Sequence, residues 1–192
     1  MIGIDNHKFY KKAINKYGVS AEGVHWQSKY TQYIRFEVLN SFIKDDISNS
    51  SIVDAGCGFG EYLNYLKKSN IKPISYTGID IEEKMIALSK ERFPSEKFLI
   101  KNILDDNLPK ADYYICSGAM NILTRKQMFK FIEKCLDCSN KGFAFNFLSE
   151  DTLNGVDHRI IIDFCKELNK EIEIKDYYLD NDMSIFIKHL TN

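Results

Sequence analysis

Along the chain, short runs of β-branched and aromatic residues take turns with longer segments whose apolar positions recur every three or four residues. The short runs predict strands at 50–55 (SSIVDA), 74–79 (ISYTGI), 96–100 (EKFLI), 112–117 (DYYICS), 142–148 (GFAFNFL), 172–178 (IEIKDYY) and 184–190 (SIFIKHL). In 124–138, Met128, Phe129, Ile132, Cys135 and Leu136 form one apolar stripe, and Ile161, Phe164, Cys165 and Leu168 repeat the pattern in 155–169. Strands separated by helix-length segments predict a parallel sheet with helices on both faces. Only LDND (179–182) and its neighbours separate the last two strands, too little for a helical crossover, so these should pair as an antiparallel hairpin. The predicted fold is therefore α/β: three layers, Rossmann-like, with a seven-stranded, mostly parallel sheet closed by a C-terminal antiparallel hairpin.

The first fifty residues carry a different pattern. One helix is predicted over 6–17, ending at Gly18, and a second over 29–47, with Tyr33, Phe36, Val38, Leu39, Phe42, Ile43 and Ile47 turned toward the sheet. Between them GVSAEGVHWQSKY contains His25, Gln27 and Trp26, the chain's single tryptophan. There is no internal repeat and no Pro/Gly/Ser-rich linker. The expected organisation is one domain over 1–192, with 1–49 as a helical lid and substrate segment and 50–192 as the ligand-binding core.

The candidate chemistry lies in Asp54-Ala-Gly56-Cys-Gly58-Phe-Gly60, directly after the first strand and before a crossover helix. Glycines at such a turn permit positive φ and let a ligand approach bare amides. The spacing is not the G-x-G-x-x-G of dinucleotide sites, because position 61 is Glu61. Acids at the strand end and at the helix start would repel a pyrophosphate and suit a cationic ligand. Twenty residues on, the second strand ends in Gly78-Ile79-Asp80-Ile81, where a carboxylate can accept both hydroxyls of a ribose. A ligand with ribose and positive charge fits S-adenosylmethionine.

On VDAGCGFGEY and GIDIEEKMI, with FLIKNIL and ADYYICSGAMNIL after them, residues 50–150 resemble the core of class I S-adenosylmethionine-dependent methyltransferases. The resemblance implies that Gly56, Gly58 and Gly60 admit the methionine part of the cofactor, with Asp54 near its amino group. It implies that Asp80 holds the ribose hydroxyls and that Ile81 packs on adenine. Where the family often has an acid against the adenine amine, this chain has Asn102 followed by Ile103, and an amide oxygen can still accept there. Ser117 and the loop Gly118-Ala119-Met120-Asn121 would lie beside the sulfonium, with Asn121 toward the acceptor. SGAMN is not the N/D-P-P-Y/F motif of base-nitrogen methyltransferases. Arg35 is the candidate partner of the cofactor carboxylate, the alternative being a solvated helix arginine. Methyl transfer releases S-adenosylhomocysteine and demands no metal.

Acceptor chemistry is less defined. Trp26 and His25 either contact the acceptor or pack beneath the first helix. If the acceptor must lose a proton, His25 or His158, beside Asp157, is the candidate base; His158 otherwise begins a helix at the surface. Cys135-Leu-Asp-Cys138 lies at the C-terminal end of its helix, where the dipole does not lower a thiol pKa, and reads as packing. The segments GVHWQSKYTQYIRFEVL, SGAMN and KGFAFNFLSE resemble a bacterial subgroup found among surface-polysaccharide and small-molecule modification genes, which implies a sugar or phosphorylated small acceptor.

Charge and length narrow the partners. The 192 residues carry 26 basic and 27 acidic side chains, a net charge of −1. Binding dominated by nucleic-acid phosphates usually leaves a basic surplus, so nucleic acid is disfavoured. No stretch approaches the roughly 20 apolar residues of a membrane span, and MIGIDNHKFYKKAINKYG lacks the apolar core of a secretion signal. A cytoplasmic protein with a small-molecule acceptor is expected. The alternatives are an RNA or protein methyltransferase, marked by a basic stripe along the carboxyl edge of the sheet, and a non-catalytic cofactor-binding subunit, marked by a wide open cleft. A closed pocket under residues 20–36 would mark the small-molecule enzyme.

Overall fold

The computed structural model describes residues 29–149 and 156–190. The elements are α1 (Lys29–Ser41), β1 (Ser51–Ala55), α2 (Glu61–Lys68), β2 (Ser75–Asp80), α3 (Glu83–Arg92), β3 (Lys97–Ile100), β4 (Ala111–Ser117), α4 (Arg125–Cys138), β5 (Ser139–Phe147), α5 (His158–Glu167), β6 (Glu171–Lys175) and β7 (Met183–Lys188). They form one seven-stranded sheet in the order β3-β2-β1-β4-β5-β7-β6. The first five strands are parallel; β7 runs antiparallel to both β5 and β6. The expected hairpin thus places its second strand against the sheet and its first at the edge.

The apolar runs explain this arrangement. Ile52, Val53, Asp54 and Ala55 of β1 are all buried, because a central parallel strand is covered on both faces. Ile52, Ile115 and Ala144 pack with Phe36 and Leu39 of α1, Leu63 and Leu66 of α2 and Ile86 of α3. On the other face Val53, Tyr114, Phe143 and Ile185 pack with Met128, Ile132 and Cys135 of α4 and with Ile161 and Cys165 of α5. Phe143, Phe145 and Phe147 share one face of β5, their rings 4.9 and 5.9 Å apart. Cys135 and Cys138 are free thiols, and Cys135 is fully enclosed in that core.

The predicted 29–47 helix stops at Ser41, whose hydroxyl donates to the Val38 carbonyl at 2.6 Å; a 3-10 turn follows at Ile47–Asn49. The buried face of α1 is Gln32, Arg35, Phe36, Leu39 and Asn40. Aromatic contacts hold α1 to α2, with ring centroids of Phe36 and Tyr62 5.4 Å apart and those of Tyr33 and Tyr65 5.6 Å apart. This fixes the start of α1 over the carboxyl ends of β1 and β4, where open α/β sheets bind ligands. The predicted helix over 6–17 lies outside the described residues. No described helix is long and apolar enough to cross a membrane.

Candidate active site

The turn after β1 has the geometry that its glycines permit. Gly56, Gly58 and Gly60 have φ of 82°, 52° and 76°, all in the left-handed region. The amides of Gly56 and Cys57 both donate to the Ile79 carbonyl, at 2.8 and 2.9 Å, folding the loop onto the tip of β2. A Cβ at Gly56 would collide with Ala119, so this position brings the loops after β1 and β4 into contact.

A cavity of about 220 Å³ opens at this place. Asp54, Gly56, Cys57 and Gly58 line it from β1 and its turn; Asp80, Ile81 and Met85 from β2 and α3; Lys101, Asn102, Ile103 and Leu104 from the loop after β3; and Ser117, Gly118 and Ala119 from the end of β4. Ile122, Leu123, Gln127 and Phe131 close one end, and Gln32 and Phe36 of α1 form the roof beside Phe59, Glu61 and Tyr62.

Two carboxylates face this space with unusual affinities for protons. Burial pushes Asp54 up to about 7; Asp80 nearby adds to the rise, while the Tyr76 hydroxyl, donating to Oδ2 at 2.6 Å, opposes it. Asp80 is raised to about 6, again chiefly by burial, against the hydrogen bonds it accepts from the amides of Glu82 and Gly58, each at 2.9 Å. Glu61, expected to add to the acidic character, is instead paired at 2.5 Å with Arg92, whose other nitrogen donates to the Phe59 carbonyl. Its charge is neutralised by a residue 31 positions away, which spacing alone does not reveal.

Twelve of the residues singled out from sequence can be placed. Asp54, Gly56, Gly58, Asp80, Ile81, Asn102, Ile103 and Ser117 are brought together along the cavity. Ile81 is 46% exposed there, an apolar side chain on a polar rim. Gly60 sets the turn as the residue before α2. The Asn102 amide caps its own loop: Oδ1 accepts from the Leu104 amide at 2.9 Å and Nδ2 donates to Asp105 at 2.7 Å.

Three further residues are placed elsewhere. Arg35 grips both oxygens of Asp182, at 2.6 and 2.5 Å, and does not line the cavity; the pair is buried, so the guanidinium is already matched. Asn121 accepts from the Leu148 amide at 3.1 Å, joining the loops after β4 and β5, and is also absent from the lining. His158 begins α5, with Nδ1 2.8 Å from the Ser149 carbonyl and outside the cavity. Its neighbour Asp157 is held down to about 2 by Arg159 rather than orienting the imidazole. His25 and Trp26 lie outside the described residues.

Gln32 had no role assigned from sequence, and Phe36 was expected only to pack toward the sheet. A signal was present: Gln32 stands three and four residues before Arg35 and Phe36, on the same face of the helix.

Residues 52–142 match the family described as "Methyltransferase domain". The chain is 32% identical over 134 residues to "Putative methyltransferase Rv1506c" of Mycobacterium tuberculosis, covering 60% of this chain and 78% of that one. The fold matches magnesium protoporphyrin IX methyltransferase of Synechocystis PCC 6803, a structure with bound SAM, at a TM-score of 0.70 and 13% identity over 99% of this chain and 100% of that one. It also matches the plantazolicin methyltransferase BpumL, in complex with SAH, at a TM-score of 0.71 and 14% identity over 97% and 91%.

Proposed function

We propose a small-molecule acceptor for this chain, which belongs to the class I S-adenosylmethionine-dependent methyltransferases and is an enzyme of methyl transfer. The observation that carries the proposal is the cavity in which the glycine turn, Asp80 and the end of β4 meet beneath Gln32 and Phe36 of α1. A cleft of this size, roofed by α1 among the described residues, suits a small acceptor. Its charged lining, Asp54, Glu61 and Asp80 against Lys101, is also unlike the basic track that a nucleic-acid substrate requires.

The residues present fit the cofactor. Positive-φ glycines offer a side-chain-free approach for its methionine end, with Asp54 for the ammonium group. Asp80 keeps lone pairs for ribose hydroxyls beside its two backbone bonds, and the exposed face of Ile81 is available to adenine. Ile103 and Asn102 would close the adenine edge, with the Asn102 contribution coming from the backbone because its amide is engaged. When bound, S-adenosylmethionine supplies a methyl group already activated on a sulfonium. The chain's task is then alignment, exclusion of water and, for a hydroxyl acceptor, disposal of a proton. No histidine lines the cavity among the described residues, which leaves His25 as the candidate base from the sequence.

Titration calorimetry tests the cofactor assignment. Asp80→Ala should weaken S-adenosylmethionine binding at least about tenfold, a loss of roughly 1.4 kcal/mol or more. Unchanged affinity in a folded Asp80→Ala protein would overturn it. Methyl transfer from labelled cofactor to small molecules, but not to RNA or protein, tests the acceptor class.

A further inference from the structure

One end of the cavity is apolar. Ile103, Leu104, Ile122, Leu123 and Phe131 line it, and all five pack in the cluster on the α4 side of the sheet. Gln127, the third residue of α4, lines the cavity among them. Its amide has a settled orientation: Oε1 accepts from the Thr124 backbone amide at 2.9 Å and from the Thr124 Oγ1 at 2.8 Å. A backbone N–H can only donate, so the atom facing it is the oxygen. The cap of α4 therefore occupies the acceptor of Gln127 and leaves its two N–H donors, and Nε2 has no hydrogen-bond partner among the described residues.

The loop after β3 holds its acceptors to itself. The Asn102 amide is engaged at both ends, by the Leu104 amide and by Asp105. Asp106 accepts from the Asn102 backbone amide at 2.8 Å, Asp105 pairs with Lys130 at 3.1 Å, and neither acid lines the cavity. Lys101, which does line it, is a donor as well. The side chains that this end of the cavity offers a ligand are donors set in apolar surroundings.

Adenine is the flat, uncharged part of S-adenosylmethionine and matches an apolar end, whereas the charged methionine part matches the acids of the glycine turn. Ring nitrogens of adenine accept hydrogen bonds, and leaving a buried acceptor unmatched is costly. Of the two donors, the amide is the better match. An ammonium held against an uncharged ring in an apolar pocket loses hydration that the contact does not replace.

Resting on the cofactor reading above, we propose that Gln127 reads the base: its Nε2 donates to a ring nitrogen of adenine, aimed by the capping box of α4. Base recognition in this chain thereby shifts from an acceptor side chain at position 102 to a donor on α4. One side chain both closes the helix and contacts the ligand, so the donor is fixed before the cofactor arrives.

The test uses Gln127→Glu in the full chain. A carboxylate retains an oxygen for both capping bonds, so the denaturation midpoint should match that of the parent. The N–H donors are lost, and titration calorimetry should show S-adenosylhomocysteine bound at least about tenfold more weakly. The parent is also titrated with three analogues of S-adenosylhomocysteine in which N1, N3 or N7 of the base is replaced by C–H. One of them should bind the parent at least about tenfold more weakly than S-adenosylhomocysteine, and for that analogue Gln127→Glu should cost less than about threefold. Lys101→Met should leave the penalty of that analogue intact. Affinity of Gln127→Glu within about threefold of the parent would overturn the proposal, as would a loss carried equally by all three analogues or a penalty removed by Lys101→Met. Parental affinity in Asp80→Ala would instead defeat the cofactor assignment on which the proposal rests, so the two failures are distinguishable.

Discussion

The Gly58 amide donates to the Asp80 carboxylate at 2.9 Å, so the glycine turn after β1 and the acid at the tip of β2 are one structure. Asp80 organises the loop of the proposed cofactor site, and its carboxylate receives that amide from a turn of positive φ. A ligand contact made by Asp80 is therefore made on a carboxylate whose orientation is already set from two sides, by Gly58 and Glu82.

Gly56→Ala tests the turn. The new Cβ would have to occupy a φ of 82° and would meet Ala119, so both backbone and contact resist it. The expected cost is about 1–3 kcal/mol of stability from backbone strain alone, with loss of cofactor binding as the two loops separate. Chemical denaturation and calorimetry on the same protein would show both effects; full stability with parental affinity would contradict this account.

The pH dependence of cofactor binding follows from Asp54. Its folded pKa, about 7, stands above the ordinary carboxylate value of 3.8, so the native state binds more protons than the unfolded state between those values. Stability of the cofactor-free protein should therefore fall as pH rises from about 4 to 7 and level off above that window. Affinity for the cationic cofactor should move oppositely, rising as Asp54 ionises. Asp54→Asn, which keeps an oxygen for the Tyr76 hydroxyl, should bind more weakly at pH 8 and lose the rise centred near 7, leaving the part near 6 that belongs to Asp80. A variant whose affinity still climbs steeply with pH would assign the effect elsewhere.

Arg35 and Asp182 should behave as a structural couple. Removing one partner strands a buried charge, so Asp182→Ala is expected to cost about 3–5 kcal/mol, whereas replacing both by apolar residues of similar volume costs much less. Urea melts of the two single variants and of an Arg35→Met, Asp182→Leu double variant would measure the coupling. Additive losses would show that the pair does not hold α1 to the sheet.

His158→Ala should leave turnover nearly intact. A general base typically contributes about 10²–10⁴-fold; a histidine that contacts the Ser149 carbonyl outside the cavity should alter kcat by less than about threefold. A hundredfold loss with unchanged stability would restore it as the base.

Much of this protein was legible without tertiary structure. The alternation of short β-branched runs with helical stripes determined a seven-stranded α/β fold, and the short segment between the last two strands required the antiparallel end. The glycine turn and Asp80 were legible because strand-to-helix geometry places them at the same edge whatever the rest of the chain does. What only the folded chain decided depends on side chains far apart in sequence. Arg35 meets Asp182 across 147 residues, Glu61 is neutralised by Arg92, and Gln32 comes to rest over the cavity with Ser117 in its wall. Periodicity reports which face of an element is buried, since burial repeats with the local geometry. It carries no information about which polar group on another element that face will meet, and at this site those meetings separate a residue held by its neighbours from one left free for a ligand.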